Sequence, residues 1–143
     1  MGSVGGGTRP EDQRVVPIRI NRDYSAPDGQ DGRMVPYVYH LNRTCRGGGR
    51  CYGSNQRDLA SDPTPRGRWF TATLYASMND ENRNNGCVEL WIDGESKGRN
   101  CGFDFGRDRG WLMQGIVGFN LWHCNGSPQE QEMWASNIRI YGR

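Results

Sequence analysis

The chain has 143 residues, 34% of them hydrophobic, with 21 Gly and 7 Pro. That length suits one domain, and the Gly and Pro content suits many short strands and turns. A formal charge of 18 − 16 = +2 is too weak for a nucleic-acid binder, and no apolar run approaches the ~20 residues of a membrane span.

Residues 1–14 read as a flexible lead, Gly-rich and then Thr8-Arg9-Pro10-Glu11-Asp12. Met1 to Gly7 has neither the charged start nor the apolar core of a signal peptide. Residues 15–22 alternate, Val16, Ile18 and Ile20 against Pro17, Arg19 and Asn21, which predicts a half-buried strand. Asp28 to Gly32 predicts a turn. Residues 33–41 predict a second strand, with Tyr37 and Tyr39 on one face and Val38 and His40 on the other. The two strands form a hairpin in this reading, and its pairing brings Arg19 beside the tyrosines.

Residues 43–67 are irregular. Cys45 and Cys51 bracket a Gly-rich loop and suit a short disulfide. Residues 68–78 predict a strand, followed by a loop rich in Asn and Asp. Cys87 to Ile92 and Glu95 to Cys101 flank Asp93-Gly94, a hairpin turn signal. Cys87 and Cys101 lie about equally far from that turn, so a cross-strand bridge is expected, with Cys124 left over. Disulfides imply a secreted, oxidising setting. Gly106 to Gly110 predicts a turn, and residues 115–123 and 133–141 predict two closing strands. Hairpins without helical crossovers indicate an antiparallel all-β domain over residues 15–143, a β-sandwich or jelly roll.

Candidate chemistry is sparse. Lys97 is the only lysine among 18 basic residues. Arginine makes planar, two-pronged contacts with carboxylates, which suits an acidic ligand as well as plain solvation. Tyr37 and Tyr39 stand about 7 Å apart by strand period. They read either as strand aromatics favoured by propensity or as phenols that stack on sugars and transfer protons. Arg19 beside them would bind a carboxylate and lower the pKa of a nearby phenol. Arg22 and Arg33 lie nearer the turn. His123 ends an alternating strand, as a general base or a packing residue. Trp69, Trp91 and Trp134 read as core, and Trp122 as core or platform. Glu89, Asp104 and Asp108 lack the partner carboxylate of a paired-acid glycosidase. No zinc-site spacing and no cofactor motif occurs. Asn42-Arg43-Thr44 fits a glycosylation sequon; Asn125-Gly126-Ser127 does too, before a weakening Pro128.

Taken in order, these stretches resemble a family. Pro17-Ile18-Arg19-Ile20-Asn21-Arg22, a Gly-bearing turn and Tyr37-Val38-Tyr39 are similar to the "x-R-x-x-W-R…G…Y-x-Y" hairpin of family-14 polysaccharide lyases and their alginate-lyase relatives. Cys45…Cys51-Tyr52-Gly53 is similar to their Cys-bracketed loop. Gly67-Arg68-Trp69 resembles their "G-x-W" strand start, and Asn85 to Gly94 resembles "N-G-x-x-E-L-W-x-D-G". Gly115 to Phe119 and Trp134 to Tyr141 resemble the closing strands.

The resemblance implies a concanavalin A-like jelly roll that breaks a uronate polymer, such as alginate or glucuronan, by β-elimination and without a cofactor. It implies proton transfer by Tyr37 and Tyr39 and charge stabilisation by Arg19. Arg22 matches the motif's second arginine, and Arg33, His123 and Trp122 are further substrate-binding candidates. The chain departs from the family at Asn21, where Trp is usual, and in having no Lys before Arg19. It therefore reads as N-terminally short, with an open sheet edge available for self-association. Two rival readings share the fold: a lectin-like module that binds carbohydrate without cleaving it, and a structural or assembly β-sandwich.

Overall fold

The computed structural model describes residues 18–23, 33–45, 51–59, 65, 67–106 and 134–141. Six strands and one 3₁₀ turn lie among them. The strands are β1 (Ile18–Asp23), β2 (Arg33–Val38), β3 (Ser54–Asn55), β4 (Ala72–Ser77), β5 (Gly86–Ile92) and β6 (Glu95–Phe103). The 3₁₀ turn spans Arg57–Leu59. They make two antiparallel three-stranded sheets, ordered β1-β2-β3 and β4-β5-β6. The described chain is thus all-β and antiparallel, as its patterning predicts.

The first sheet is the expected hairpin. Ile18 pairs with Val38 and Arg19 with Tyr37, running to Asp23 opposite Arg33. β3 is short for a covalent reason. The Pro36 carbonyl accepts a hydrogen bond from the Gln56 backbone at 2.8 Å. In an antiparallel ladder the same residue would also donate across that pair, and proline has no N–H to give. Pairing of β3 with β2 stops one residue earlier, at Tyr37 opposite Asn55.

The second sheet turns at Asp93-Gly94. Their φ values are 51° and 81°, and Ile92 pairs with Glu95 across them. Two central residues with positive φ define a type I′ turn, whose twist matches that of the flanking strands. Asp93 also clasps the start of the neighbouring strand. Its backbone N–H donates to the Thr71 carbonyl at 2.8 Å, and its Oδ1 accepts from the Thr71 N–H at 2.8 Å. Its Oδ2 pairs with Arg68 Nη1 at 2.7 Å.

Two bulges on β6 set the rest of the register. Trp91 pairs with Ser96 and Leu90 with Gly98, so Lys97 is extra; Cys87 pairs with Cys101 and Gly86 with Phe103, so Gly102 is extra. Gly98 and Gly102 have φ of 119° and 101°, values that favour glycine. The expected Cys87–Cys101 bridge forms across this pair, and Cys45–Cys51 closes the short loop. Disulfides persist in oxidising compartments. No helix among the described residues is long and apolar enough to cross a membrane.

The sheets share one core. Val38 of β2, Val88 of β5, Phe103 of β6, Leu59 and Phe105 are buried together, with Ile18 and Ala76 packed against them. The link between the sheets is also polar. Leu41 N donates to the Asp104 carbonyl at 2.7 Å. Asn42 Nδ2 donates to the Gly102 carbonyl at 2.8 Å, and Asn42 Oδ1 accepts from Asp104 N at 3.0 Å. The amide of the Asn42 sequon is therefore committed to backbone partners.

Some expectations need correction. Residues 134–141 form no strand and are exposed throughout; Asn137 within them has a φ of 56°, outside the strand region. Trp69 and Trp134 are not core residues, being 67% and 73% exposed. Trp69 precedes the strand it was expected to head, because β4 begins only at Ala72. Trp91 points away from the core and is half-buried. The flexible lead, the strand over residues 115–123, Cys124 and the second sequon lie outside the described residues.

Leu90 is fully buried at the centre of β5. Leu90→Ala is expected to cost about 2–5 kcal/mol in denaturant unfolding, through lost burial and the cavity left behind. The Asp93 carboxyl is held below its ordinary 3.8, first by the Thr71 N–H and then by Arg68. The clasp therefore stabilises fully above the unfolded value and fails as pH falls through the lower folded value. Thermal melting from pH 6 into this acid range should show a loss that Asp93→Asn reduces, since asparagine keeps the turn and the Thr71 acceptor.

Candidate functional site

β1 and β2 bring Arg19 and the two tyrosines together. The Arg19 guanidinium sits 4.6 Å from the Tyr37 ring centroid. The Tyr37 and Tyr39 rings meet edge to face, 5.3 Å apart. Beyond them, the Arg43 guanidinium lies 5.5 Å from the Tyr39 ring. The result is a row of cation, phenol, phenol and cation, in which each guanidinium faces the electron-rich surface of an aromatic ring.

The members differ in access. Arg19 is exposed and Tyr37 half-buried, whereas Tyr39 and Arg43 are buried. Only the Arg19–Tyr37 end can meet a ligand directly. Arg43 is held from behind, its Nη1 donating to the His40 carbonyl at 2.6 Å.

The row depends on Gly53. A Cβ there would lie 2.6 Å from Tyr37 Cε1 and 2.9 Å from Tyr39 Cδ2. Such distances force a shift, so the glycine lets the backbone approach both rings. The Cys45–Cys51 bridge precedes it and helps return the chain to β2.

Arg19 does not make Tyr37 acidic. The phenol is pushed up to about 12, by burial first and then by its hydrogen bond and charge coupling with Tyr39. Arg19 and the backbone hydrogen bond from Gly53 act in the opposite direction and are outweighed. The expectation that the guanidinium lowers a phenol pKa thus has the right sign for one contribution and the wrong sign for the sum. Tyr37 is held as a neutral hydroxyl near pH 7, suited to donating a proton or a hydrogen bond.

His40 occupies the opposite face of the same segment, its ring 5.0 Å from Phe103. Its Nδ1 is 2.7 Å from Asn42 Oδ1. The backbone partners of Asn42 fix which end of that amide is oxygen, so His40 Nδ1 carries the proton and Nε2 the lone pair. Ser54 Oγ stands 3.5 Å from that lone pair and accepts from Gln56 Nε2 at 2.8 Å. Burial holds the imidazole below its ordinary 6.5. This side-chain network braces β3 against β2 and touches the tyrosine row only where Arg43 donates to the His40 carbonyl.

Arg33 is not brought to the row, and Arg22 is placed only by its backbone. Arg22 pairs with Met34 in the ladder. Arg33, half-buried at the start of β2, is four residues from Tyr37, about 13 Å along a strand. His123 and Trp122 lie outside the described residues. Among the described residues, no group of three or more His, Cys, Asp or Glu side chains could hold a metal ion.

Sequence reasoning gave no role to Arg43, Gly53 or the His40–Asn42 network. Gly53 did carry a signal, because it follows a cysteine whose partner lies six residues upstream. In comparisons with known proteins, the sequence matches no family model, no curated protein and no solved structure.

Alkaline titration of tyrosine absorbance should show one phenol ionising near pH 12, a step that Tyr37→Phe removes. Because the folded value lies above the ordinary 10.0, Tyr37's contribution to stability is complete below pH 10 and lost as pH rises through about 12. Gly53→Ala should shift that step toward the ordinary value by driving the rings apart. An unchanged titration in the alanine variant would show that Gly53 does not hold the pair.

Proposed function

We propose that the protein is a lyase-like member of the concanavalin A-like jelly rolls, acting on an anionic uronate polymer such as alginate or glucuronan. The observation that carries this reading is the Arg19–Tyr37 pair, with a guanidinium 4.6 Å from the ring of a protonated phenol. The two small antiparallel sheets around one core are compatible with that fold. The two disulfides fit secretion, where such polymers are met.

β-Elimination at a uronate needs three things. The C6 carboxylate must be neutralised, the C5 proton removed, and the leaving glycosidic oxygen protonated. Arg19, exposed and cationic, takes the first role by a charge-assisted contact. Tyr37, neutral and half-buried, takes the third as general acid. Tyr39 is buried and acts through its hydrogen bond to Tyr37, as a positioning residue. The C5 proton requires a base, which in the lyase reading is the ionised fraction of Tyr37 itself: the phenolate takes the proton and the phenol so formed hands it to the leaving oxygen. A phenol with a pKa near 12 is a strong base once ionised, but it is rarely ionised at neutral pH. A substrate carboxylate bound at Arg19 would further disfavour the phenolate.

That last point favours a second reading, a lectin-like module that binds the same uronate without cleaving it. Binding needs only the guanidinium and a phenol that donates a hydrogen bond.

The two readings separate on alginate, polyguluronate, polymannuronate and glucuronan. A lyase generates unsaturated uronate ends, detected by their ultraviolet absorbance. The lyase reading expects that signal, a fall of roughly 10²–10⁴-fold in Tyr37→Phe, and a raised KM in Arg19→Ala. Calorimetric binding with no new absorbance on any polymer would establish the lectin reading. No binding and no absorbance would remove both.

A further inference from the structure

We propose that the outer face of the β4-β5-β6 sheet is a second carbohydrate-binding surface, built for a neutral, hydroxyl-rich glycan and separate from the tyrosine row. The ladder fixes a grid of side chains on this face. Thr73 pairs with Trp91, and Trp91 with Ser96; Tyr75 pairs with Glu89, and Glu89 with Arg99. Neighbouring strands lie about 4.8 Å apart and successive outward residues about 7 Å apart, so the six positions span an area comparable to one or two sugar rings. Thr73, Tyr75, Glu89, Trp91, Gly94 and Arg99 line a shallow, open depression of about 470 Å³ there.

The chemistry of this grid suits sugars. The apolar face of a pyranose needs an aromatic ring, supplied by half-buried Trp91 and by Tyr75, 48% exposed. Sugar hydroxyls both donate and accept, so they need a carboxylate and a donor side by side. Glu89 sits on the central strand, with one oxygen accepting from Ser96 Oγ at 2.9 Å. That single bond leaves most of its acceptor capacity open. Arg99 lies next to it on β6, its guanidinium 5.9 Å from the Tyr75 ring. Cation–aromatic contact orients the guanidinium while leaving its N–H groups facing outward.

Charge decides which sugar. Glu89 and Arg99 sum to zero, and the carboxylate holds the centre of the grid. A polyuronate would bring its own carboxylates against Glu89, so this face selects against the polymer that the Arg19 end favours. The Cys87–Cys101 bridge joins β5 to β6 two rungs from the Glu89–Arg99 pair, so the grid does not have to be ordered at each binding event.

Calorimetric titration of the whole protein with cellohexaose, xylohexaose and mannohexaose tests the assignment, with oligoguluronate as the anionic comparison. The expected result is binding of at least one neutral hexasaccharide. That binding should weaken roughly tenfold or more in Trp91→Ala and in Glu89→Gln, and stay unchanged in Tyr37→Phe and Arg19→Ala. Glu89→Gln keeps shape and changes no core residue, so it decides the matter even if Trp91→Ala is poorly folded by circular dichroism. Absence of binding to all three neutral probes would overturn the proposal. So would binding that survives Glu89→Gln at full strength. A dimer in sedimentation that dissociates in Trp91→Ala would also overturn it, and would give this face to a second copy of the chain. None of these results depends on whether uronate is cleaved at Tyr37.

Discussion

A one-residue slip of β5 against β6 would turn Val88, Leu90 and Ile92 into water and bury Glu89 and Trp91. Nothing else described in the protein survives that exchange, because the core between the sheets and the outer grid are opposite faces of one strand. Three independent devices resist it. The Asp93-Gly94 turn demands two residues with positive φ and occupies them with types that tolerate it. The two glycine-bearing bulges absorb Lys97 and Gly102 at fixed points. The Cys87–Cys101 bond then makes the pairing covalent. The turn sets the start of the register, the bulges carry it along β6, and the disulfide locks its far end.

The first sheet has no comparable lock within its own ladder. Its third strand is two residues long, cut off where Pro36 cannot donate. Stability there comes from across the seam: Val38 packs with Val88 and Phe103, and Asn42 ties the segment after β2 to the end of β6 and the residue that follows it. The tyrosine row therefore rests on the second sheet at one remove. Val38 and His40 face the core while Tyr37 and Tyr39 face away, so anything that loosens the seam changes the surroundings of both phenols. The depressed imidazole of His40 belongs to the same seam. Burial holds it below its ordinary 6.5, favouring the neutral ring, so acid that protonates it works against the packing around Phe103.

Local patterning was enough to read the hairpins. Alternation over residues 15–22 and 33–41, the Asp93-Gly94 turn and the symmetric cysteines each encode their partner within a few residues. The Arg19–Tyr37 neighbourhood was legible because it is a hairpin pair, fixed once the turn is placed. What stayed hidden depends on contacts distant in sequence. Gly53 reaches the row from beyond the disulfide loop, Arg43 turns back onto Tyr39 where the strand pattern has ended, and the His40–Asn42 network requires Gly102 and Asp104, some sixty residues on. Tryptophans misled for a related reason: large apolar side chains read as core, yet Trp69 and Trp134 are exposed and Trp91 is on the outer face. Hydrophobicity says that a ring gains by leaving water, not whether this chain or a ligand will cover it.

The two surfaces also differ in how they treat charge, and that difference follows from strand position. Arg19 stands on an edge strand of its sheet, where a cation remains solvated and available to a passing anion. Glu89 stands on a central strand, flanked on both sides, where Ser96 donates to its carboxylate and Arg99 is its cross-strand neighbour. An anionic polymer can approach the first with no like charge at the contact, but at the second it would meet the carboxylate of Glu89. Neutral hydroxyls meet the opposite preference, gaining at Glu89 the strong acceptor that the Arg19–Tyr37 end does not offer. Together the two proposals place an anion-seeking end and a hydroxyl-seeking face on one small all-β chain, with neither competing for the other's ligand.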